Sequence, residues 1–289
     1  MKLIAVIHPG RCGSTLLEKI ISELDILHFG EIFSPANIYN SGLKNRGWKS
    51  YTTVNDFLLA IVQIANIQAN YKGSRYSRYE FAFLEAKLNN YELKPFSGIS
   101  DLVSSELILG SVFLYSANYL RRYISLLRAQ VSGIWHVEKS NHDYQPGLVS
   151  PDFSSITDPD IFGLFELSLS QAVRRYKYIL EIQAGIVREI CHSLGKPFIP
   201  IKYEDLVVNP DALAKTIADV ICNFGIMPDS GAVQEDILTA ISRIALKKTG
   251  FENLLDGLSS EALSNLELIP NYKEYLPGGS FDLDIPDWY

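Results

Sequence analysis

The sequence predicts an α/β protein with three layers, in which helices flank a central parallel sheet. Short apolar runs alternate along the chain with segments whose apolar residues have helical spacing. The first run, Leu3–Ile7, has no polar face, which is typical of a parallel strand that is buried on both sides. The apolar residues that follow at positions 16, 17, 20, 21 and 24 recur with the period of an α-helix.

The same patterns assign the remaining elements. Strands are predicted at Ile26–Phe29, Pro95–Asp101, Ser111–Ser116 and Phe198–Lys202. Helices are predicted at Val54–Gln68, Tyr76–Leu88, Leu102–Leu109, Asn118–Ala129, Phe162–Leu194, Asp211–Phe224 and Val233–Leu246. Because no clear linker interrupts this alternation, residues 1–289 are expected to form a single domain with insertions around 36–95 and 136–160.

Composition narrows the classes of protein to consider. With 289 residues, 47% of them hydrophobic and 20% charged, the chain can bury a large core and does not resemble a disordered protein. Its formal net charge of −7 disfavours non-specific binding to nucleic acid. The cysteines Cys12, Cys191 and Cys222 lack metal-binding spacing, and their odd number disfavours a disulfide framework. No run reaches the ~18 apolar residues of a membrane-spanning helix, so we expect a cytoplasmic protein without a transmembrane segment.

The segment between the first strand and the first helix has the features of an anion-binding site. It runs from His8 to Gly13, contains a proline and two glycines, and is followed at Ser14 by helical spacing. Backbone N–H groups converge at a helix N-terminus, where the helix dipole also favours negative charge. Arg11 adds a fixed positive charge. The sequence therefore predicts a phosphate-binding loop.

The loop does not fit a kinase or a nucleoside triphosphatase. That motif places Gly-Lys-Ser/Thr after four variable residues, because the Lys reaches the phosphates and the hydroxyl holds Mg²⁺. Here Gly10 is followed by Arg11, Cys12 and Gly13, with no Lys before the hydroxyl residues. An acidic partner for Mg²⁺ is also not evident, since the strand ending at Ser116 is followed by Ala117. A single phosphate group whose reaction needs no metal suits this shorter loop.

Two further segments carry charges suited to such a site. Glu31 follows the second predicted strand, where open α/β sheets bind ligands, although a solvated loop carboxylate is the plain alternative. Helical spacing places Arg121, Ser125 and Arg128 along one side of a helix, with Arg122 beside them. This arrangement suggests a bound anion, and a solvated basic face is the alternative.

These residues carry a resemblance to a known family. Arg11–Leu17 after the first strand resembles the 5′-phosphosulfate loop of sulfotransferases, whose donor is 3′-phosphoadenosine 5′-phosphosulfate. Four further segments resemble the bacterial branch that contains the trehalose, nodulation-factor and polysaccharide sulfotransferases: Gly30–Phe33, Ser125–Ala129 with Trp135, Lys202–Leu206 and Asn271–Tyr275. The resemblance implies a P-loop NTPase-like fold, metal-independent transfer of a sulfuryl group to a carbohydrate or glycolipid hydroxyl, and a homodimer as a possible assembly.

The resemblance also implies roles for individual residues. Glu31 is expected to be the general base, with His8 as the second candidate, although a histidine at a strand end is more often a structural hydrogen-bonding residue. Arg11 is expected to neutralise charge on the bridging and sulfuryl oxygens. The expected cofactor-binding residues are Arg11, Cys12, Gly13, Ser14, Thr15, Leu16, Arg121, Arg122, Ser125, Tyr203, Lys247, Lys248 and Gly250. No metal ligand is expected.

The chain departs from the family at three positions. The family has an Arg for the 3′-phosphate where this chain has Ser116 and Ala117, so Arg121 and Arg122 are expected to replace it. The family's base lies beyond the Gly-Glu pair, where this chain has Ser34, and its Lys after a strand falls at Ser100. The alternative to an enzyme is therefore a degenerate relative that binds a nucleotide or glycan without turnover.

Overall fold

The architecture is that of a computed structural model, which describes residues 1–33, 51–71, 80–88, 98–117, 122, 176–206, 210–224 and 230–247. The chain divides into two compact units. The first comprises Met1–Tyr115 and Ile182–Ile244, and the second comprises Ser116–Glu181 and Ala245–Tyr289. The sheet and the predicted phosphate loop belong to the first unit.

Five parallel strands form the central sheet. They are β1 (Lys2–His8), β2 (Leu27–Glu31), β3 (Phe81–Lys87), β4 (Ile108–Tyr115) and β5 (Phe198–Lys202), in the spatial order β2-β3-β1-β4-β5. Helices flank this sheet in a three-layer α/β arrangement, which confirms the predicted fold class. The chain leaves β1 toward β2 on one side and later continues to β4 on the other, so the strand order reverses at β1. Open α/β sheets bind ligands outside the carboxyl ends of their strands at such a point.

Seven helices are described. They are α1 (Ser14–Glu23), α2 (Val54–Asn70), α3 (Ile99–Ser104), α4 (Ala184–Ser193), α5 (Tyr203–Leu206), α6 (Pro210–Asn223) and α7 (Ser230–Lys247), with a π-helical turn at Ile179–Gln183 before α4. Local chemistry fixes the start of α2, because the Thr53 hydroxyl oxygen accepts a hydrogen bond from the Asp56 backbone N–H at 3.1 Å.

The burial of the central strands explains their composition. Leu3–Ile7 of β1 and Val112–Leu114 of β4 are 0% exposed, because neighbouring strands cover their edges and other elements cover their faces. The register places the carboxyl ends of the strands side by side. His8 of β1 lies opposite Lys87 of β3, and Glu31 of β2 lies opposite Glu85 of β3.

Two predicted elements are wrong. The helix predicted at Tyr76–Leu88 is instead the strand β3 over its described part, and the strand predicted at Pro95–Asp101 is instead the start of α3 at Ile99. Phe81–Ala86 is buried on both faces of the sheet, so its apolar residues do not alternate with polar ones. A short apolar run of this kind is ambiguous between helix and strand, and its position beside β1 decides the conformation.

The other predicted elements agree with the structure within a few residues, except that the short helix predicted at Leu102–Leu109 ends at Ser104 and β4 begins at Ile108. The insertion predicted around 36–95 contains α2 and β3, so these parts of it belong to the α/β fold itself. The insertion predicted around 136–160 and most of the helix predicted at Asn118–Ala129 lie outside the described residues. Among the described helices, none has the length and hydropathy needed to cross a membrane.

Candidate functional site

The turn after β1 shapes the backbone into a concave anion site. Gly10, Arg11 and Gly13 have φ values of 81°, 58° and 86°, so the chain curls tightly before α1 begins at Ser14. Gly13 caps the helix with its backbone, because its carbonyl accepts hydrogen bonds from Leu16 and Leu17 at 3.0 and 3.1 Å and no side chain caps this end. An N-terminus capped in this way leaves its first N–H groups for an anion.

Glycine is required here by close neighbours as well as by φ. A Cβ atom at Gly10 would lie 2.7 Å from Cε of Lys87, and a Cβ atom at Gly13 would overlap the ring of Tyr203. Lys87 ends β3, and Tyr203 begins α5 directly after β5. Strand ends from two sides of the sheet therefore pack side chains against the glycines of the loop.

Lys87 and Glu31 form an ion pair beside the loop. The Lys87 Nζ lies 3.6 Å from the Glu31 Oε1, and the two side chains are 22% and 20% exposed. Both are therefore partly accessible to a ligand at this edge of the sheet. The family resemblance led us to look for a Lys near Ser100, but the strand beside β1 is β3, and Lys87 ends it. The sequence comparison had used the wrong strand.

A buried network joins this turn to the turn after β2. The Nδ1 atom of His8 accepts the Gly10 N–H at 3.1 Å, and the Nδ1 atom of His28 accepts the Gly30 N–H at 3.0 Å. The Nε2 atoms of His8 and His28 lie 3.2 Å from Oε2 and 3.4 Å from Oε1 of Glu85, respectively. We call His8, His28 and Glu85 the Glu85 network. Its three side chains are at most 3% exposed.

Electrostatics set the protonation of this network. Burial alone would raise the pKa of Glu85, but the hydrogen bond and charge of His8, the charge of His28 and a hydrogen bond from Ser14 lower it below the ordinary 4.5. Burial lowers the pKa of His28 below its ordinary 6.5, against the attraction of Glu85. Near neutral pH, Glu85 is therefore ionised and His28 is neutral.

Glu18, one turn into α1, is shifted in the other direction. Burial and the negative charge of Glu85 raise the pKa of Glu18 from 4.5 to about 7. Its Oε1 lies 3.8 Å from Nδ1 of His28, and the side chain is 43% exposed. Glu18 therefore holds a proton over part of the neutral pH range.

The donor set was tested as a metal site. Ligand atoms of His8, Glu31 and Glu85, and those of Glu18, His28 and Glu85, lie within 4.8 Å of one another. However, a neutral imidazole whose Nδ1 accepts an N–H carries its proton on Nε2. The Nε2 atoms of both histidines therefore present protons, and a metal requires lone pairs there. This chemistry favours hydrogen bonding to Glu85 over metal ligation.

The structure corrects one argument made from the sequence. We expected no acidic residue near the hydroxyl residues of the loop, yet Ser14 donates a hydrogen bond to Glu85. The acid was missed because Glu85 lies inside a segment predicted as a helix.

The first unit brings together several of the predicted site residues. Arg11 to Leu16 form the turn and the start of α1, and Glu31 and Tyr203 lie at neighbouring strand ends. The thiol of Cys12 donates to the Gly10 carbonyl at 3.2 Å and is fully buried, so Cys12 contributes its backbone. His8 is also fully buried, which favours the structural alternative for this residue. The assigned roles stay predictions.

The remaining predicted residues belong to the second unit. Arg122 lies 4.4 Å from the centre of the Tyr176 ring, a distance typical of a cation–π contact. The Tyr176 hydroxyl accepts the Ser116 N–H at 2.8 Å and donates to the Ser116 carbonyl at 2.6 Å. Lys247 ends α7, and its side chain is not described. Arg121, Ser125, Lys248 and Gly250 lie outside the described residues.

Sequence reasoning missed Lys87, Glu85, His28, Glu18 and Tyr176. One signal was available for part of this set. The pattern His-x-Gly occurs at 8–10 and again at 28–30, in each case at the end of a predicted strand. Nothing local in the sequence indicates that both histidines face the same carboxylate.

Known proteins provide no further assignment. No protein-family model matches the chain, and a comparison with curated proteins found no match.

Proposed function

We propose that this protein is a sulfotransferase that moves a sulfuryl group from 3′-phosphoadenosine 5′-phosphosulfate to a hydroxyl group of a carbohydrate or glycolipid. One observation carries the proposal. A glycine turn leads into a helix N-terminus without a side-chain cap, and the Lys87–Glu31 pair lies beside it, with Lys87 packed on Gly10 and 3.6 Å from Glu31. An anion site, a cation and an adjacent carboxylate are the groups that sulfuryl transfer to a hydroxyl requires.

Each group has a distinct task. The donor supplies an activated sulfur–oxygen bond to a phosphate leaving group. The N–H groups at the start of α1 bind the 5′-phosphosulfate, where the helix dipole favours its charge. Arg11 and Lys87 stabilise negative charge as it moves onto the bridging oxygen. Glu31 accepts the proton of the acceptor hydroxyl as the new oxygen–sulfur bond forms and the bond to the phosphate oxygen breaks.

The 3′-phosphate is assigned to Arg121, Arg122 and Ser125, with Lys247–Gly250 closing over it. Support comes from Arg122, whose guanidinium is stacked on the buried Tyr176 ring. A stacked guanidinium keeps its N–H edge for an anion. Because the same Tyr176 hydroxyl is bonded to both backbone groups of Ser116, Tyr176 connects Arg122 to the segment that directly follows β4.

The setting of the reaction is proposed from charge and cysteine chemistry. All three cysteines are free thiols, which supports a reducing compartment such as the cytoplasm. The net charge of −7 disfavours nucleic acid as an acceptor. A homodimer is the proposed assembly on the family resemblance alone.

The proposal is tested with sulfur-labelled donor and a panel of carbohydrate and glycolipid acceptors, and with calorimetry of adenosine 3′,5′-bisphosphate. We expect a sulfated product without added metal, and bisphosphate binding that weakens by about tenfold or more when Arg122 becomes Ala, since charge-assisted hydrogen bonds contribute about 1.5–3 kcal/mol each. Lys177→Ala is the matched control, because Lys177 pairs with Glu181 at the surface. An absence of bisphosphate binding contradicts the proposal.

The second candidate is a degenerate relative that binds a nucleotide or glycan without turnover. The observation that favours it is the absence of a basic residue at Ser116 and Ala117, directly after β4. Tight bisphosphate binding without any sulfated product across the acceptor panel supports this candidate. Mg²⁺-dependent binding of ATP instead supports a kinase, for which the Ser14–Glu85 hydrogen bond supplies the motive.

A further inference from the structure

Two turns of the first unit share one buried acid. At the end of β1, the Gly10 N–H donates to His8, and at the end of β2, the Gly30 N–H donates to His28. Both glycines have positive φ, at 81° and 61°. The far side of each imidazole meets a different oxygen of Glu85, at 3.2 and 3.4 Å. Glu85 therefore stands between the loop that carries Arg11 and the strand end that carries Glu31.

We propose that Glu85 is a positioning residue that acts through His8 and His28 to fix the glycine turn of the anion site relative to Glu31. The proposal deepens the proposed sulfuryl transfer and rests on it for the catalytic consequence. The geometric part, that one carboxylate locks two turns, stands without it. Because reacting groups misplaced by about 1 Å can lose 100-fold in rate, such a lock has a direct effect on turnover.

Only an ionised carboxylate satisfies this arrangement. Each histidine presents an Nε2–H, since its Nδ1 accepts an N–H from glycine. Neither Nε2 atom has another acceptor among the described side chains, and Oε1 of Glu85 has no other donor there. A carboxylate accepts on both oxygens, whereas an amide accepts on one side and donates on the other. Glutamine at this position would set its NH₂ group against one of the two Nε2–H groups.

The charges around Glu85 are consistent with this role. On α1, Ser14 donates a hydrogen bond to it, and Glu18 repels it. On β2, Glu31 lies opposite it in the sheet. On its own strand, the next residue toward this edge on the opposite side of the pleat is Ala86, followed by Lys87, which pairs with Glu31. The two imidazoles are thus the groups that offset the buried charge.

The decisive experiment compares Glu85→Gln with Glu80→Gln in the full chain. Glu80 is an exposed acid directly before β3, so its replacement removes the same charge outside the network. Amide hydrogen exchange is measured at Gly10 and Gly30. We expect Glu85→Gln to speed exchange at one or both glycines by roughly 10- to 100-fold, the loss expected for a charge-assisted hydrogen bond. Equal protection in the two variants overturns the proposal.

A measurement on the unmodified protein covers the case in which Glu85→Gln does not fold. Imidazole nitrogen NMR reports which ring nitrogen carries the proton. We expect His8 and His28 both to be protonated on Nε2, and a proton on Nδ1 of either histidine overturns the proposal.

The catalytic consequence is read separately. In Glu85→Gln, kcat for sulfuryl transfer is expected to fall by roughly 10- to 100-fold, with KM for the acceptor nearly unchanged. An unchanged kcat in an active enzyme overturns the positioning role. If the unmodified protein transfers no sulfuryl group, the proposed function fails by itself, and the exchange and imidazole measurements still decide the lock.

Discussion

The turn after β1 and the turn after β2 have the same construction and different consequences. Each consists of a strand-end histidine, one intervening residue and a glycine with positive φ whose N–H donates to the histidine ring. Both histidines face Glu85. After Gly10 the chain continues through Arg11 to the N-terminus of α1, whereas after Gly30 it ends the strand at Glu31.

The difference shows what makes an anion site. A glycine turn redirects the chain in both places, but only the first turn leads into a helix N-terminus with a cation beside it. The second turn instead delivers a carboxylate, which pairs with Lys87 at the end of the strand between them. Two like turns that share one acid therefore place unlike groups at neighbouring strand ends.

The largest expected effect is at the end of the second turn. Glu31→Gln removes the proton acceptor and is expected to lower kcat for sulfuryl transfer by about 10²- to 10⁴-fold, while leaving the affinity for adenosine 3′,5′-bisphosphate nearly unchanged. Glu106→Gln is the control, because Glu106 is exposed and precedes β4 at the opposite edge of the sheet. Full activity in Glu31→Gln would show that another group accepts the proton.

The next effect concerns the cation shared by the two turns. Lys87→Met keeps the apolar stem of the side chain and removes the charge, so we expect kcat to fall by about 10²- to 10³-fold with little loss of stability. Lys202→Met is the matched control, since Lys202 ends β5 and pairs with the exposed Asp205 at 3.7 Å. If the two variants have equal rates, Lys87 has no role in the transfer.

A smaller effect tests why the first turn needs glycine. Gly13→Ala combines a left-handed conformation with overlap against Tyr203, and is expected to destabilise the fold by about 2–4 kcal/mol. Gly195→Ala separates the two causes, because Gly195 has φ +63° and nothing within 4 Å of an added Cβ. It should cost only the conformational part, about 1–2 kcal/mol. Equal losses in denaturant unfolding would mean that Tyr203 yields to the added atom.

The smallest effect distinguishes the charges near the second turn. The folded chain holds the Glu18 proton more tightly than the unfolded chain, so Glu18 favours folding as the pH falls from about 7 toward 4.5. His28 and Glu85 act in the opposite sense, because their lowered pKa values cost stability as the pH falls below 6.5 and below 4.5, respectively.

Glu18→Gln therefore should lose stability more steeply between pH 7 and 4.5 and be more stable than the unmodified chain above pH 7. The difference should be on the order of 1 kcal/mol or less, because the side chain is partly exposed and its charge is screened. Denaturant titrations at several pH values measure it, with Glu80→Gln as the control. A parallel pH dependence in all three proteins contradicts the assignment.

The strands that flank the site show how far sequence patterns extend. Leu3–Ile7 and Ser111–Ser116 were identified as buried strands because a run without a polar face has few other uses at that length. Phe81–Lys87 has the same character over its apolar part, but Glu85 and Lys87 gave it the spacing of an amphipathic helix. The charged residues that misled the pattern are the ones that face the site.

The site itself was predicted unevenly for the same reason. The turn at Gly10–Gly13 and the start of α1 are local features, so residue types along a few positions suffice to indicate them. Lys87 and Glu85 reach the loop only because β3 inserts between β2 and β1 in the sheet. Tyr176 reaches Ser116 across 60 positions of sequence, and no local pattern marks such a pairing.

By itself, the sequence determined the α/β class, the glycine turn after β1 and the helix that follows it, because hydrophobic period and positive φ are set within a few residues. The tertiary structure alone decided which strand lies beside β1, and thereby that His8, His28 and Glu85 meet and that Lys87 packs on Gly10. Strand order is a property of long-range pairing, in which buried strands of similar composition compete for the same neighbour. The chemistry of the site depends on that order.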